Sequence, residues 1–190
     1  MSDNFNNIDH LSGQFLIATQ SGAEHFFNKS LVLITEHSPL TGSVGYVLSK
    51  PFVSLNPKEI FKERDISFLN SDFQLLWGGP IDLGHGIVLH PDSYQTPETR
   101  LLENHLALTE TQQILDDISA QAGPQQFLIL VGKSVWDAGQ LEEEIMGNLW
   151  IPAPCSTDLI FQTPHNKKWQ EALATLNINA NLLTDKAGKA

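Results

Sequence analysis

Residues 31–50, LVLITEHSPLTGSVGYVLSK, decide the fold class. Leu31, Val32, Leu33 and Ile34 are apolar without alternation, which marks a strand covered on both faces, so this run belongs inside a sheet. Ser38-Pro39-Leu40-Thr41-Gly42 supplies the proline and glycine of a short hairpin loop, and residues 43–50 return as a second β-rich run. An antiparallel pair is the expectation.

Upstream of the hairpin, residues 14–19 read as a strand and 24–28 as a helical turn. Downstream, Asn56 and Pro57 can open a short helix over 57–64 with Ile60 and Phe61 on its buried side. Residues 73–77 form a strand that runs into Gly78-Gly79-Pro80, and 86–90 form another. The segment 91–104, with Pro91 and Pro97, reads as an ordered surface excursion. Thr109 and Gln112 have capping-box spacing and Ile114, Leu115, Ile118 and Ala122 make one stripe, which predicts a helix over 109–121 that stops at Gly123-Pro124. A buried strand at 126–131 exits through Gly132-Lys133-Ser134 into a glycine-punctuated loop and a short acidic helix. Strands at 149–153 and 159–162 follow, and then a helix at 165–176 with Trp169, Ala172, Leu173 and Leu176 on one side.

Strands and helices mixed without regular β-α-β alternation predict an α+β fold, a strongly curled, mixed and largely antiparallel sheet with helices packed outside. One domain over residues 1–190 is expected, with 1–10 and 184–190 flexible.

Composition narrows the function. A hydrophobic fraction of 41% with 17% charged residues is that of a folded globular chain. The first ten residues lack the basic start and apolar core of a signal peptide, and no run reaches membrane-spanning length, so a cytoplasmic protein without a membrane partner is expected. One cysteine, Cys155, excludes an internal disulfide and a multiple-cysteine zinc site. The formal charge of −11 repels phosphate backbones, and Arg64 and Arg100 are the only arginines, so direct nucleic-acid binding is disfavoured.

The tempting motifs are incomplete. Gly132-Lys133-Ser134 resembles the end of a phosphate-binding loop, but Phe127 stands where that loop needs its first glycine. Trp136 replaces the second glycine of a hydrolase nucleophile elbow. Cys155 has no motif around it and reads as a small packed thiol. His37, His85 and His90 include strand-end positions where side chains from separate strands could converge, yet no pair has helical ligand spacing. Gly78 and Gly79 permit close backbone approach and could present amides to an anion, or could serve a tight turn. No cofactor and no metal site are expected.

On a helical wheel for the acidic helix, Leu141 and Ile145 define the buried stripe, and Gln140, Glu143 and Glu144 fall on the solvated side. Glu142 lies between Ile145 and Met146. It is therefore expected to be more buried than Glu143 and Glu144, either held by first-turn amides or facing a cleft beside Trp136.

With these pieces placed, the chain resembles the AlgH/YqgE family along about residues 11–190. The matching elements are Gly13-Gln14-Phe15-Leu16-Ile17-Ala18, Glu36-His37, Lys50-Pro51, Gly78-Gly79-Pro80, Val88-Leu89-His90, Gly139-Gln140-Leu141-Glu142-Glu143-Glu144, Trp150-Ile151-Pro152 and a terminal Ala187-Gly188-Lys189-Ala190. The chain departs from the family at Lys133-Ser134-Val135, where an aromatic or small residue, a small residue and a glycine usually precede the tryptophan, and at Ser49, where asparagine is usual. The resemblance implies an α+β fold with a mixed, barrel-like sheet. Members are described as uncharacterised, or as transcriptional regulators linked to alginate synthesis.

The leading expectation is a small cytoplasmic binding or regulatory protein that acts through protein or small-ligand contacts. Its candidate site residues are Gly78, Gly79, Trp136, Gln140, Glu142, His37 and His90. One alternative is an enzyme on a small ligand, with Glu142 or a strand-end histidine as acid or base and the Gly78-Gly79 amides as anion donors. A second is a DNA-binding transcriptional regulator, which has the charge of −11 against it.

Overall fold

The structure, a computed structural model, describes residues 10–19, 26–54, 56, 58–59 and 75–183. The strands are β1 (Phe15–Ala18), β2 (Leu31–Ser38), β3 (Gly42–Val47), β4 (Leu76–Trp77), β5 (Ile81–Pro91), β6 (Arg100–Leu101), β7 (Leu106–Thr109), β8 (Leu128–Trp136) and β9 (Trp150–Ala153). The helices are α1 (Gln112–Ser119), α2 (Gln140–Met146), α3 (Thr157–Phe161) and α4 (His165–Thr175). The nine strands among the described residues join one sheet in the order β6-β7-β5-β8-β3-β2-β1-β9, with β4 also beside β8. Every pairing is antiparallel except β4 with β8, and the sheet curls into a half-barrel, as the α+β reading anticipates.

The hairpin is the anticipated one. β2 lies between β1 and β3, with Phe15 opposite Leu33 and Val32 opposite Val47. Leu31 and Leu33 point into a cluster with Leu159, Ile160, Trp169, Ala172 and Leu173 of α3 and α4. Val32 and Ile34 point the other way, into a cluster with Trp136, Leu141 and Trp150. Both faces are buried, which is why the run does not alternate.

A bulge at Thr35 then changes the facing of the strand. Ile34 pairs with Gly45 but Glu36 pairs with Val44, so one extra residue enters β2. Alternation shifts by one, and His37, opposite Ser43, turns to the side that carries α2.

β8 is the axis of the sheet. Leu130 and Val131 have β5 on one edge and β4 on the other, so β4 and β5 flank them. The connection Gly78-Gly79-Pro80 must therefore cross β8, and it does so at Gly132 and Lys133. A Cβ on Gly78 would collide with Gly132 O, one on Gly79 with the Lys133 carbonyl, and one on Gly132 with Gly79 O; Gly132 also has φ +72°. Past the crossing, β3 takes over the β4 edge, with Gly45 opposite Ser134 and Ser43 opposite Trp136. Gly132-Lys133-Ser134 is thus the interior of a nine-residue strand and not its exit.

Other expectations shift. Residues 159–162 lie in or against α3 and not in a strand, because Ser156 Oγ accepts from Leu159 N at 3.3 Å and starts a helix. Thr109 ends β7 and does not cap α1, which follows Thr111. β6 and β7 use residues read as surface excursion or left unassigned, and β5 begins earlier, at Ile81. The helix predicted at 57–64 falls largely outside the described residues, as do 24–25, 73–74, 1–9 and 184–190. Lys168 of α4 is buried, and its Nζ donates to the carbonyls of Leu159, at 2.9 Å, and Ile160, tying α4 to the end of α3. Burial lowers its pKa to about 8.

Candidate functional site

Three sequential elements build the site. β8 delivers Trp136 at its end, Gly139 with φ +77° turns the chain into α2, and β9 returns with Trp150. Both indoles are buried, 6.0 Å apart and edge-on, and Phe27 packs 6.3 Å from Trp136 and 5.3 Å from Trp150. Their N–H groups converge on one atom. Glu144 Oε2 accepts from Trp136 Nε1 at 2.9 Å and from Trp150 Nε1 at 2.7 Å.

The other carboxylate oxygen is also held. Gln140, one turn earlier, donates from Nε2 to Glu144 Oε1 at 2.8 Å, and its Oε1 accepts from Asp137 N at 2.9 Å. Only this orientation of the Gln140 amide serves both partners, since a carboxylate cannot donate and a backbone N–H cannot accept. The wheel placed Gln140 and Glu144 on the solvated side, whereas the tryptophans from the flanking strands reach over and draw Glu144 in.

Beside this clasp lies a cleft of about 350 Å³, whose lining includes Pro80, Ile81, Ser134, Val135, Trp136, Gln140, Glu144 and Trp150. That size is at the small end for a ligand site. Among the described residues no strand continues β5 along Val135 and Trp136, so the cleft follows an open stretch of the β8 edge. Ile81 and Val135 are exposed at 50% and 46%. A second cleft of about 320 Å³ shares Val135 and Trp136 and is lined by His37 and Ser43.

His37 and Glu142 meet. Glu142 Oε1 lies 3.4 Å from His37 Nε2, an ion-pair separation outside hydrogen-bond geometry, and His37 Nδ1 is 2.9 Å from Ser43 Oγ. The Glu142 side chain is 17% exposed and Glu143 is exposed, while Glu144 is half-buried. The partner of Glu142 is thus His37, turned towards α2 by the Thr35 bulge, and not the first-turn amides.

The remaining candidates lie apart. His90, on β5, is fully buried, with Nδ1 donating to Pro91 O and Nε2 accepting from Thr109 Oγ1, both at 2.9 Å. Burial lowers its pKa. Gly78 N donates to Val131 O, and Gly78 O accepts from Val47 N, so this peptide serves the crossing. Burial pushes the Cys155 thiol up to about 12, which leaves it a thiol at neutral pH. Among the described residues no cluster of His, Cys, Asp or Glu could hold a metal ion, and no helix is long and apolar enough to cross a membrane.

A family model described as DUF179, AlgH-like, matches residues 15–181. The chain is 36% identical over 186 residues to a UPF0301 protein of Rhizobium etli, covering 94% of this chain and 92% of that one. The solution structure of AlgH from Pseudomonas aeruginosa has a TM-score of 0.75 at 31% identity over 100% of both chains. A crystal structure of a Corynebacterium diphtheriae protein also has a TM-score of 0.75, at 18% identity over 97% of this chain and 95% of that one, a likeness of fold alone.

Proposed function

The chain belongs to the AlgH-like family, and from its geometry we propose that it works by binding and not by catalysis, with the cleft beside Trp136, Glu144 and Trp150 as its working surface. The observation that carries this reading is the clasp itself. Two indoles, a carboxylate and a carboxamide are locked to one another by hydrogen bonds at the wall of a ligand-sized cleft. Groups held this way form a preorganised recognition surface, because little side-chain freedom remains to be lost on binding. The occupant is a small ligand or the tip of a protein partner, and any regulatory role runs through that contact. Titrating candidate ligands while following tryptophan emission tests it. Saturable changes that vanish when Val135 is replaced by Lys are expected, and emission indifferent to every ligand that the protein retains from extract would refute the reading.

A second reading, an enzyme, draws on Ser43, His37 and Glu142 in line. Against it, Ser43 is 3% exposed and the His37 side chain 0%, so a substrate carbon has no approach to the hydroxyl. A serine-directed phosphonate probe should leave Ser43 unlabelled; stoichiometric labelling would make the enzyme reading the better one. DNA binding has the charge of −11 against it, and no gel shift is expected at physiological salt.

A further inference from the structure

Resting on the cleft as the binding surface, we propose that it takes a primary alkylammonium group, with Glu144 Oε1 as the anionic acceptor and Pro80, Ile81 and Val135 as the rim for its methylenes. The donors and acceptors of the cleft do not balance. An ionised carboxylate offers about four lone-pair sites, two on each oxygen. On Glu144 both sites of Oε2 are taken by the indoles of Trp136 and Trp150, and one site of Oε1 by Gln140. A single site is left.

The neighbouring groups have the same bias. Gln140 Oε1 has accepted once, from Asp137 N, and Ser134 Oγ has given its hydrogen to Gly78 O at 3.3 Å, so each retains a free lone pair. The side-chain donors of the cleft are spent on protein acceptors, apart from the second hydrogen of Gln140 Nε2. A wall rich in acceptors and poor in donors suits a group that only donates, and an ammonium carries three donors and no acceptor.

Charge points the same way. Among the described residues no Lys, Arg or His forms an ion pair with Glu144, and its held partners are all neutral. The chain as a whole carries a formal charge of −11, which draws cations towards it. The single open site also discriminates between cations. A guanidinium binds a carboxylate best through two parallel bonds to both oxygens, which the indoles preclude, whereas an ammonium is a compact point charge that needs one. The half-exposed Ile81 and Val135 offer apolar contact to an unbranched chain that ends in that charge.

The test follows the indole N–H resonances of Trp136 and Trp150 in nitrogen-15-labelled full-length protein, while n-butylamine, butylguanidine, butyrate and n-butanol are titrated at neutral pH. The amine should shift both resonances saturably and bind at least about 5-fold tighter than the guanidine, with butyrate and butanol inert. Glu144→Gln and, separately, Val135→Lys should each weaken the amine by about 10-fold or more. Val135→Lys leaves the clasp untouched, so it decides the matter if Glu144→Gln does not fold. Acetyl-Gly-Lys-Gly-amide binding more tightly than n-butylamine and 1,5-diaminopentane assigns the ammonium to a protein lysine; the reverse order assigns it to a free amine. Equal binding of amine and guanidine, or amine binding retained in Val135→Lys, overturns the proposal. A response to butyrate or butanol but not to the amine removes the cation and leaves the cleft as a binding surface. Silence with all four probes removes both.

Discussion

The two helices on the face of the sheet opposite α3 and α4 are seated by different physics. α1 covers β5 and the first half of β8 with Ile114, Leu115 and Ile118, all buried against Leu75, Val88, Ile129 and Val131. α2 lies against β3 and β9, and its Leu141 joins a cluster with residues of β1, β2 and the end of β8, yet only Leu141 of its residues is fully buried. Polar contacts hold α2, namely the hydrogen bonds from the two indoles to Glu144 and the 3.4 Å approach of Glu142 to His37. A helix seated by apolar area seals the surface it covers, because close packing leaves no room at the interface. A helix seated by polar bonds over a few positions leaves space beside them, and Gln140 and Glu144 of α2 line the cleft at Trp136 and Trp150.

The comparison breaks most severely at the join between the two halves of β8. Gly79→Ala puts a methyl group into the Lys133 carbonyl where one backbone crosses another, which no side-chain adjustment relieves. A loss above about 4 kcal/mol is expected, or failure to fold, measured by urea denaturation. Ile118→Ala, under α1, should cost about 3 kcal/mol by cavity formation and leave the emission of Trp136 and Trp150 unchanged. Glu144→Ala should cost about 2 kcal/mol, because two indole N–H groups lose their acceptor while the cleft lets water reach them. It should also shift tryptophan emission to the red. Equal emission changes in these two variants would erase the distinction between the two seats.

The smallest effect is a pH dependence within the sealed region. His90 has its pKa below the ordinary value of 6.5 through burial. The unfolded chain therefore takes up a proton near 6.5 that the folded chain resists, so the stability is full above that pH and is lost as pH falls below it. His90→Gln should flatten this acid-side slope in denaturation midpoints measured at successive pH values. His165, lowered as well, is present in both proteins, so the difference isolates His90.

Much of the fold was legible because its signals are local. The apolar run Leu31 to Ile34 reports burial on both faces, and the Ile114, Leu115, Ile118 stripe reports α1 and its apolar seat. The site was half legible. Trp136, Gln140 and Glu142 were chosen from their neighbourhood in the chain, but Glu144 was placed in solvent, since a wheel knows the direction of a side chain and not what reaches over it from a flanking strand. Gln140 and Glu144 at i and i+4, between Trp136 and Trp150, were the available signal. The meeting of His37 with Glu142 depends on one extra residue at Thr35, and a bulge leaves no mark on hydrophobic periodicity. Gly78 and Gly79 read as a turn or an anion nest, because what they cross lies more than fifty residues later.

That crossing sets an order of events during synthesis. β3 and β5 are complete by Pro91, but the strand that joins them, β8, ends at Trp136. At about 5–20 residues per second the ribosome leaves several seconds in which both strands present edges with no partner. Fragments that end before Trp136 are accordingly the ones expected to self-associate, through the edges that β8 later occupies.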